Sequence, residues 1–253
     1  MISVAEGQLL AWLGAFLLPF FRVLGLFSSA PILSQRAVPA RVRVGVSLLL
    51  ATLVAPLMPA APAADLAAPS GWLAVAGEAL VGFAIGFVAR GILAAVEIAG
   101  EAVGLQMGLS FAGFFDPDSG QINAVSRLLN TLSLAAFVAI NGPLLLLAAA
   151  VRSFEVIPPA TALTDWLVRV DPAGLGASLF GLGLTIALPF MALLLFANLM
   201  LGIVSRVAPQ LNIFAIGFPV TIGAGLALLA LGLPLLQGPF ESIFERVFST
   251  LRL

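Results

Sequence analysis

Arg22, Glu78, Arg90, Glu97 and Glu101 stand in or beside otherwise apolar sequence. An ionisable group at the centre of a bilayer costs at least about 2.5–3.5 kcal/mol, so each is expected to face protein or water rather than lipid. Arg90, Glu97 and Glu101 fall at i, i+7 and i+11, on one helical face. Such a face could relay a proton, form a structural ion pair, or belong to a helix that is not in the bilayer at all. Spacing alone leaves these readings open.

A second polar constellation interrupts the most apolar part of the chain. From Pro172 to Phe240 the only charge is Arg206, at the start of the break RVAPQLNIFAIGFPV (206–220). The apolar blocks on either side are each long enough to cross a bilayer. Pro209 lacks a donor, Pro219 is expected to break the following helix, and Gly217 lies between. Gln210 and Asn212 add side-chain amides, which an apolar surround must satisfy with protein or with cavity water. The segment suits a substrate site on a broken helix or a rigid polar joint between subunits.

A third stretch is EIAGEAVGLQMGLSFAGFFDPDSGQ (97–121). Gly100, Gly104, Gly108 and Ala112 recur at i+4, which on a helix makes a smooth stripe for close backbone approach. Gly82 and Gly86 form a shorter version. The stripe serves tight packing within the chain or a contact between protomers. Beyond it come Phe111, Phe114 and Phe115, then the turn-forming run Asp116-Pro117-Asp118-Ser119-Gly120. Rings beside a polar turn either pack in a core or seal a conduit by dewetting and steric block.

Composition limits the chemistry further. The chain has no Cys, His or Tyr. That removes thiol catalysis, disulfides, the usual zinc ligand sets and histidine acid–base work. No nucleophile–base constellation remains, and no metal or cofactor is expected. The net charge of −1 offers no electrostatic case for nucleic acid.

The elements that must position these residues read as membrane helices. Of 253 residues, 61% are hydrophobic and 9% charged, against roughly 25% charged in soluble domains. Mean hydropathy is +1.17. Apolar segments fall near 8–33, 44–64, 72–96, 102–115, 128–151, 173–204 and 207–236. Arg22 interrupts the apolar run of the first, prolines 56, 59 and 62 are expected to end the second early, and Pro189 to kink the sixth. The segment at 102–115 is too short to span and reads as re-entrant or protein-buried. Glu6 and the lack of an early basic residue argue against a signal peptide, so the first segment is expected to stay attached as a helix.

Arg36, Arg41 and Arg43 mark the connection at 34–43 as cytoplasmic, while the loop at 60–71 carries only Asp65 and should face the other side. The charges at 152–171 are mixed, and the rule weakens there. The tail PFESIFERVFSTLRL (239–253) is an amphipathic helix by its spacing of apolar residues. A shift of 170 aligns Leu18-Pro19-Phe20 with Leu188-Pro189-Phe190, Arg36 with Arg206, and Pro39 with Pro209. This hints at a repeat and at two quasi-modules, about 1–120 and 121–253, within one subunit of 253 residues.

APILSQRAVPARVRVGVSLLLATLVAP (30–56), QMGLSFAGFFDPDSGQ (106–121) and APQLNIFAIGFPVTIG (208–223) resemble, in order, signatures of the FliR/SctT family of type III secretion export-gate proteins. The resemblance spans essentially the whole chain, and RAVPARVR is closer to the flagellar branch. It implies an all-α fold of membrane-associated helical hairpins with kinked and broken helices, a subunit of a multi-protein helical export-gate complex. The implied neighbours are FliP- and FliQ-type subunits, with FlhB- and FlhA-type proteins completing the apparatus in the inner membrane at the flagellar basal body. The implied cargo is unfolded polypeptide. The family's plug loop falls on Phe111–Gly120, so pore closure is carried over to Phe111, Phe114 and Phe115, with Asp116 and Pro117 setting the turn. The alternative is a stand-alone secondary transporter whose substrate site is 206–220.

Overall fold

The computed structural model describes residues 6–35, 38–57, 68–109, 123–158, 171–208 and 213–232. These form α1 (Glu6–Ser29), α2 (Ala40–Val54) with a 3-10 turn at Ala55–Leu57, α3 (Pro69–Gln106), α4 (Ala124–Ala139), α5 (Gly142–Val156), α6 (Pro172–Val207) and α7 (Ile213–Gly232). The protein is all-α, with no strand among the described residues. In a hydrocarbon surround a helix satisfies its own backbone, which is why apolar runs of this length adopt it.

Helices α3 and α6 are each long and apolar enough to cross a membrane, and the bent pair α4–α5 makes a third if it counts as one broken span. At 1.5 Å per residue α3, with 38 residues, is roughly 57 Å long, well beyond a hydrocarbon core of about 30 Å. Its charged positions run from Glu78 to Glu101, roughly 34 Å along the axis, slightly more than that thickness.

Contacts group the chain into two compact, interleaved units: 1–91 with 137–172 and 245–253, and 92–136 with 173–244. In the first unit Leu18, Val23 and Leu26 of α1 are buried with Val75, Val81 and Ile85 of α3. The two helices touch backbone to backbone: a Cβ at Gly82 would collide with the carbonyl oxygen of Arg22, and one at Gly25 with that of Ala79. In the second unit Val96, Ala99 and Val103 of α3 are buried, as are Leu129 of α4, Leu194 of α6 and Leu229 of α7.

The first segment forms the expected helix: α1 runs through Arg22 and Pro19, with the arginine buried against partners. Several other elements depart from the sequence expectations. The segment at 102–115 is not separate: its first residues continue α3 to Gln106. The stripe then leaves the helix, since Gly108 takes φ 82, the left-handed conformation with which glycine ends helices. The run at 128–151 is two helices. Asn141 is left-handed (φ 56) and Pro143 stands in the first turn of α5, a pairing that stops one helix and starts the next. Arg152 and Glu155 belong to the last turns of α5, not to a loop. Pro219 lies inside α7 without ending it. It removes one hydrogen bond, a loss such helices tolerate where neighbours satisfy the freed carbonyl.

Candidate functional site

The charges left unassigned by spacing find distinct surroundings. In the first unit Arg22 Nε donates to Glu78 Oε2 at 2.6 Å. Arg22 Nη1 donates to Ser153 Oγ at 2.9 Å, and Nη2 to the Ile157 carbonyl at 3.0 Å. The guanidinium also lies 3.8 Å from the centre of the Phe154 ring, a cation–π contact. Three helices, α1, α3 and α5, are thus tied through one buried side chain. Ser153 Oγ in turn donates to the Ala150 carbonyl at 2.6 Å, so the hydroxyl is used in both directions.

In the second unit the segment 110–122, which carries the phenylalanines, leaves and returns at anchored points. On the return side Asn123 caps α4: its Oδ1 accepts from Ser126 N–H at 2.8 Å, the usual geometry of an asparagine N-cap. The Glu101 carboxylate of α3 accepts from Asn123 N–H at 3.1 Å and from Asn123 Nδ2 at 2.8 Å. Gly100 and Gly104 allow this approach, since a Cβ there would meet Ser126 and the Asn123 amide. Ser126 Oγ donates to the Glu97 carbonyl at 2.8 Å, and Glu97 Oε2 lies 3.5 Å from Asn130 Nδ2. Arg90 is exposed. Among the described residues, then, Glu97 and Glu101 hold the start of α4, and Arg90 takes no part.

On the departing side the last carbonyls of α3 would be orphaned by the turn at Gly108. Asn198 Nδ2 of α6 donates to the Gln106 carbonyl at 3.2 Å. Thr221 Oγ1 of α7 lies 3.2 Å from the Met107 carbonyl and 3.0 Å from that of Phe218, donating to one at a time. Met107 is fully buried and fills the space above Gly225. Asn198 and Thr221 were not singled out from sequence. The available signal was a lone amide and a lone hydroxyl within apolar runs, which must face protein.

Arg206 is exposed in the last turn of α6. With Asn198, Leu199, Gly202, Ile203 and Val207 it borders an open groove. Gly217 and Pro219 are in α7. Pro209, Gln210 and Asn212, Ala112, and the proposed plug residues Phe111, Phe114, Phe115, Asp116 and Pro117 lie outside the described residues, as does the tail 239–253.

Residues 13–247 match the family described as bacterial export proteins, family 1. The chain is 40% identical to the flagellar biosynthetic protein FliR of Escherichia coli (strain K12) over 252 residues, which covers 99% of this chain and 96% of the relative. The chain belongs to the FliR family. FliR of Bacillus subtilis (strain 168) is 31% identical over 242 residues, covering 94% and 93%. FliR of Caulobacter vibrioides (strain ATCC 19089 / CIP 103742 / CB 15) is 34% identical over 223 residues, covering 85% and 87%. The FliR match therefore runs across both units and across the segments 110–122 and 206–220.

Proposed function

We propose that this FliR-family chain is a non-enzymatic core subunit of the flagellar type III export gate in the bacterial inner membrane. With FliP- and FliQ-type subunits, and with FlhB- and FlhA-type proteins nearby, it forms the channel through which unfolded flagellar polypeptides leave the cell. Phe111, Phe114 and Phe115, turned by Asp116-Pro117, close that channel at rest. The observation that carries the reading is near full-length similarity to flagellar biosynthetic proteins. The firm seating of both ends of the 110–122 segment supports it: a stopper needs fixed posts. Pro219 inside a continuous α7 removes one premise of the stand-alone transporter.

The test replaces Phe111, Phe114 and Phe115 by serine in cells that assemble the complex, with ion leakage across the inner membrane as readout. Leakage should rise while assembly is unchanged. An assembled complex with wild-type tightness would overturn the plug. A solubilised chain that remains monomeric and moves a small solute without companions would overturn the gate assignment itself.

A further inference from the structure

The segment 110–122 joins the rest of its unit at a narrow neck. Asn123, where the chain returns, lies against Gly104, since a Cβ at that glycine would collide with the asparagine amide. Gly108, where the chain turns away from α3 with φ 82, is four residues further on, roughly 6 Å along the axis. Both ends of the segment are therefore held side by side on α3, but by different chemistry. On the departing side the donors are neutral: Asn198 Nδ2 on the Gln106 carbonyl, and Thr221 Oγ1 beside that of Met107. On the return side the holder is a carboxylate. Glu101 Oε1 accepts from Asn123 N–H at 3.1 Å, and Oε2 from Asn123 Nδ2 at 2.8 Å. Hydrogen bonds to an ionised acceptor are roughly twice as strong as neutral ones.

The fork sets more than either bond alone. One oxygen takes the backbone and the other the side chain of the same residue, so both the position and the orientation of Asn123 are fixed. Asn123 Oδ1 is meanwhile committed to Ser126 N–H at 2.8 Å, and Nδ2 also lies 3.4 Å from the carbonyls of Gly100 and Glu101. The amide cannot turn over without losing these partners. Glu97 has no such hold. It reaches Ser126 through its backbone carbonyl, and its carboxylate lies 3.5 Å from Asn130 Nδ2. We propose that Glu101 is a positioning residue of the closed channel: its carboxylate clasps the neck and so fixes where Phe111, Phe114 and Phe115 stand. This role rests on the closure assigned above to those rings and adds the group that maintains it.

Glu101→Gln has the same shape but accepts through one oxygen only, and turns an amino group toward one of the two donors of Asn123. Asn123 Oδ1 stays on Ser126, so α4 keeps its cap. Loss of one hydrogen bond to a charged group corresponds to an open fraction about 10- to 100-fold larger, read as ion leakage across the inner membrane in cells that assemble the complex. Glu97→Gln should leak no more than the wild type. Asn123→Asp alone sets two carboxylates together and should leak. Combined with Glu101→Gln it reverses the polarity of the side-chain bond, residue 101 now donating and residue 123 accepting, and should leak about threefold less than either single variant. In the purified full chain the Asn123 amide should exchange its hydrogen about tenfold faster in Glu101→Gln, which reads the clasp even where assembly fails. Leakage from the Phe→Ser variant with a tight Glu101→Gln overturns the role of Glu101 alone. A tight Phe→Ser variant overturns the plug, and the clasp with it, whatever Glu101→Gln does. Unchanged exchange at Asn123, equal leakage from Glu97→Gln, or no rescue in the double variant overturns the clasp as well.

Discussion

Removing the Glu78 carboxylate while leaving Arg22 in place is the sharpest test of how the first unit is held. The Arg22 side chain is 0% exposed and that of Glu78 4%. In Glu78→Ala the guanidinium keeps Ser153 Oγ at 2.9 Å, the Ile157 carbonyl at 3.0 Å and the Phe154 ring. These neutral groups solvate the charge only in part. Breaking a buried pair from one side typically costs about 3–5 kcal/mol. At about 2–4 °C per kcal/mol for a chain of this size, Tm should fall by roughly 6–20 °C. Arg22→Met combined with Glu78→Leu removes the charge and its desolvation cost together, and should be about as stable as the wild type or more so. Thermal unfolding of the full chain in detergent, followed by circular dichroism, reads both. The reasoning fails if Glu78→Ala shifts Tm by less than about 3 °C, or if the double variant is less stable than the single one.

Other substitutions separate close packing from open surface. Gly82→Ala should destabilise by about 3 kcal/mol or more, because its Cβ would strike the Arg22 carbonyl; Gly202→Ala, with nothing within reach of an added Cβ, should stabilise by about 0.5–1 kcal/mol, and chemical denaturation distinguishes the two. Asn198→Leu and Thr221→Val each strand a carbonyl at the end of α3 and should cost about 1–3 kcal/mol, with faster hydrogen exchange at the amides of Met107 and Gly108 as the local readout. Asn123→Ala removes the cap of α4 and the partner of Glu101, and should cost about 2 kcal/mol in the same denaturation assay; a change under about 0.5 kcal/mol would show that the cap does not hold this junction.

The apolar runs, the scarcity of charge and the glycine spacing were enough to read an all-helical membrane chain, and three signatures were enough to read its family. Segment boundaries were less legible. Arg22 was legible only as a costly charge in an apolar run; Glu78, 56 positions away, offsets part of that cost only after folding. The run at 128–151 looked like one span because hydropathy averages over a window, while the left-handed Asn141 acts at a single residue. The stripe ended early for a similar reason: Gly108 can continue a helix or end one, and helical spacing does not say which.

Hydropathy, periodicity and turn chemistry are local, and they settled what this chain could determine unaided: that it is helical and that it carries runs with the apolarity of membrane spans, while its family came from the resemblance of three stretches. Pairing is non-local. Which carboxylate neutralises Arg22, which amide caps α4, and which side chains of α6 and α7 receive the last carbonyls of α3 depend on groups brought together from distant positions. Those choices were made by the tertiary structure, because a buried charge, amide or carbonyl is stable only where its partner also arrives.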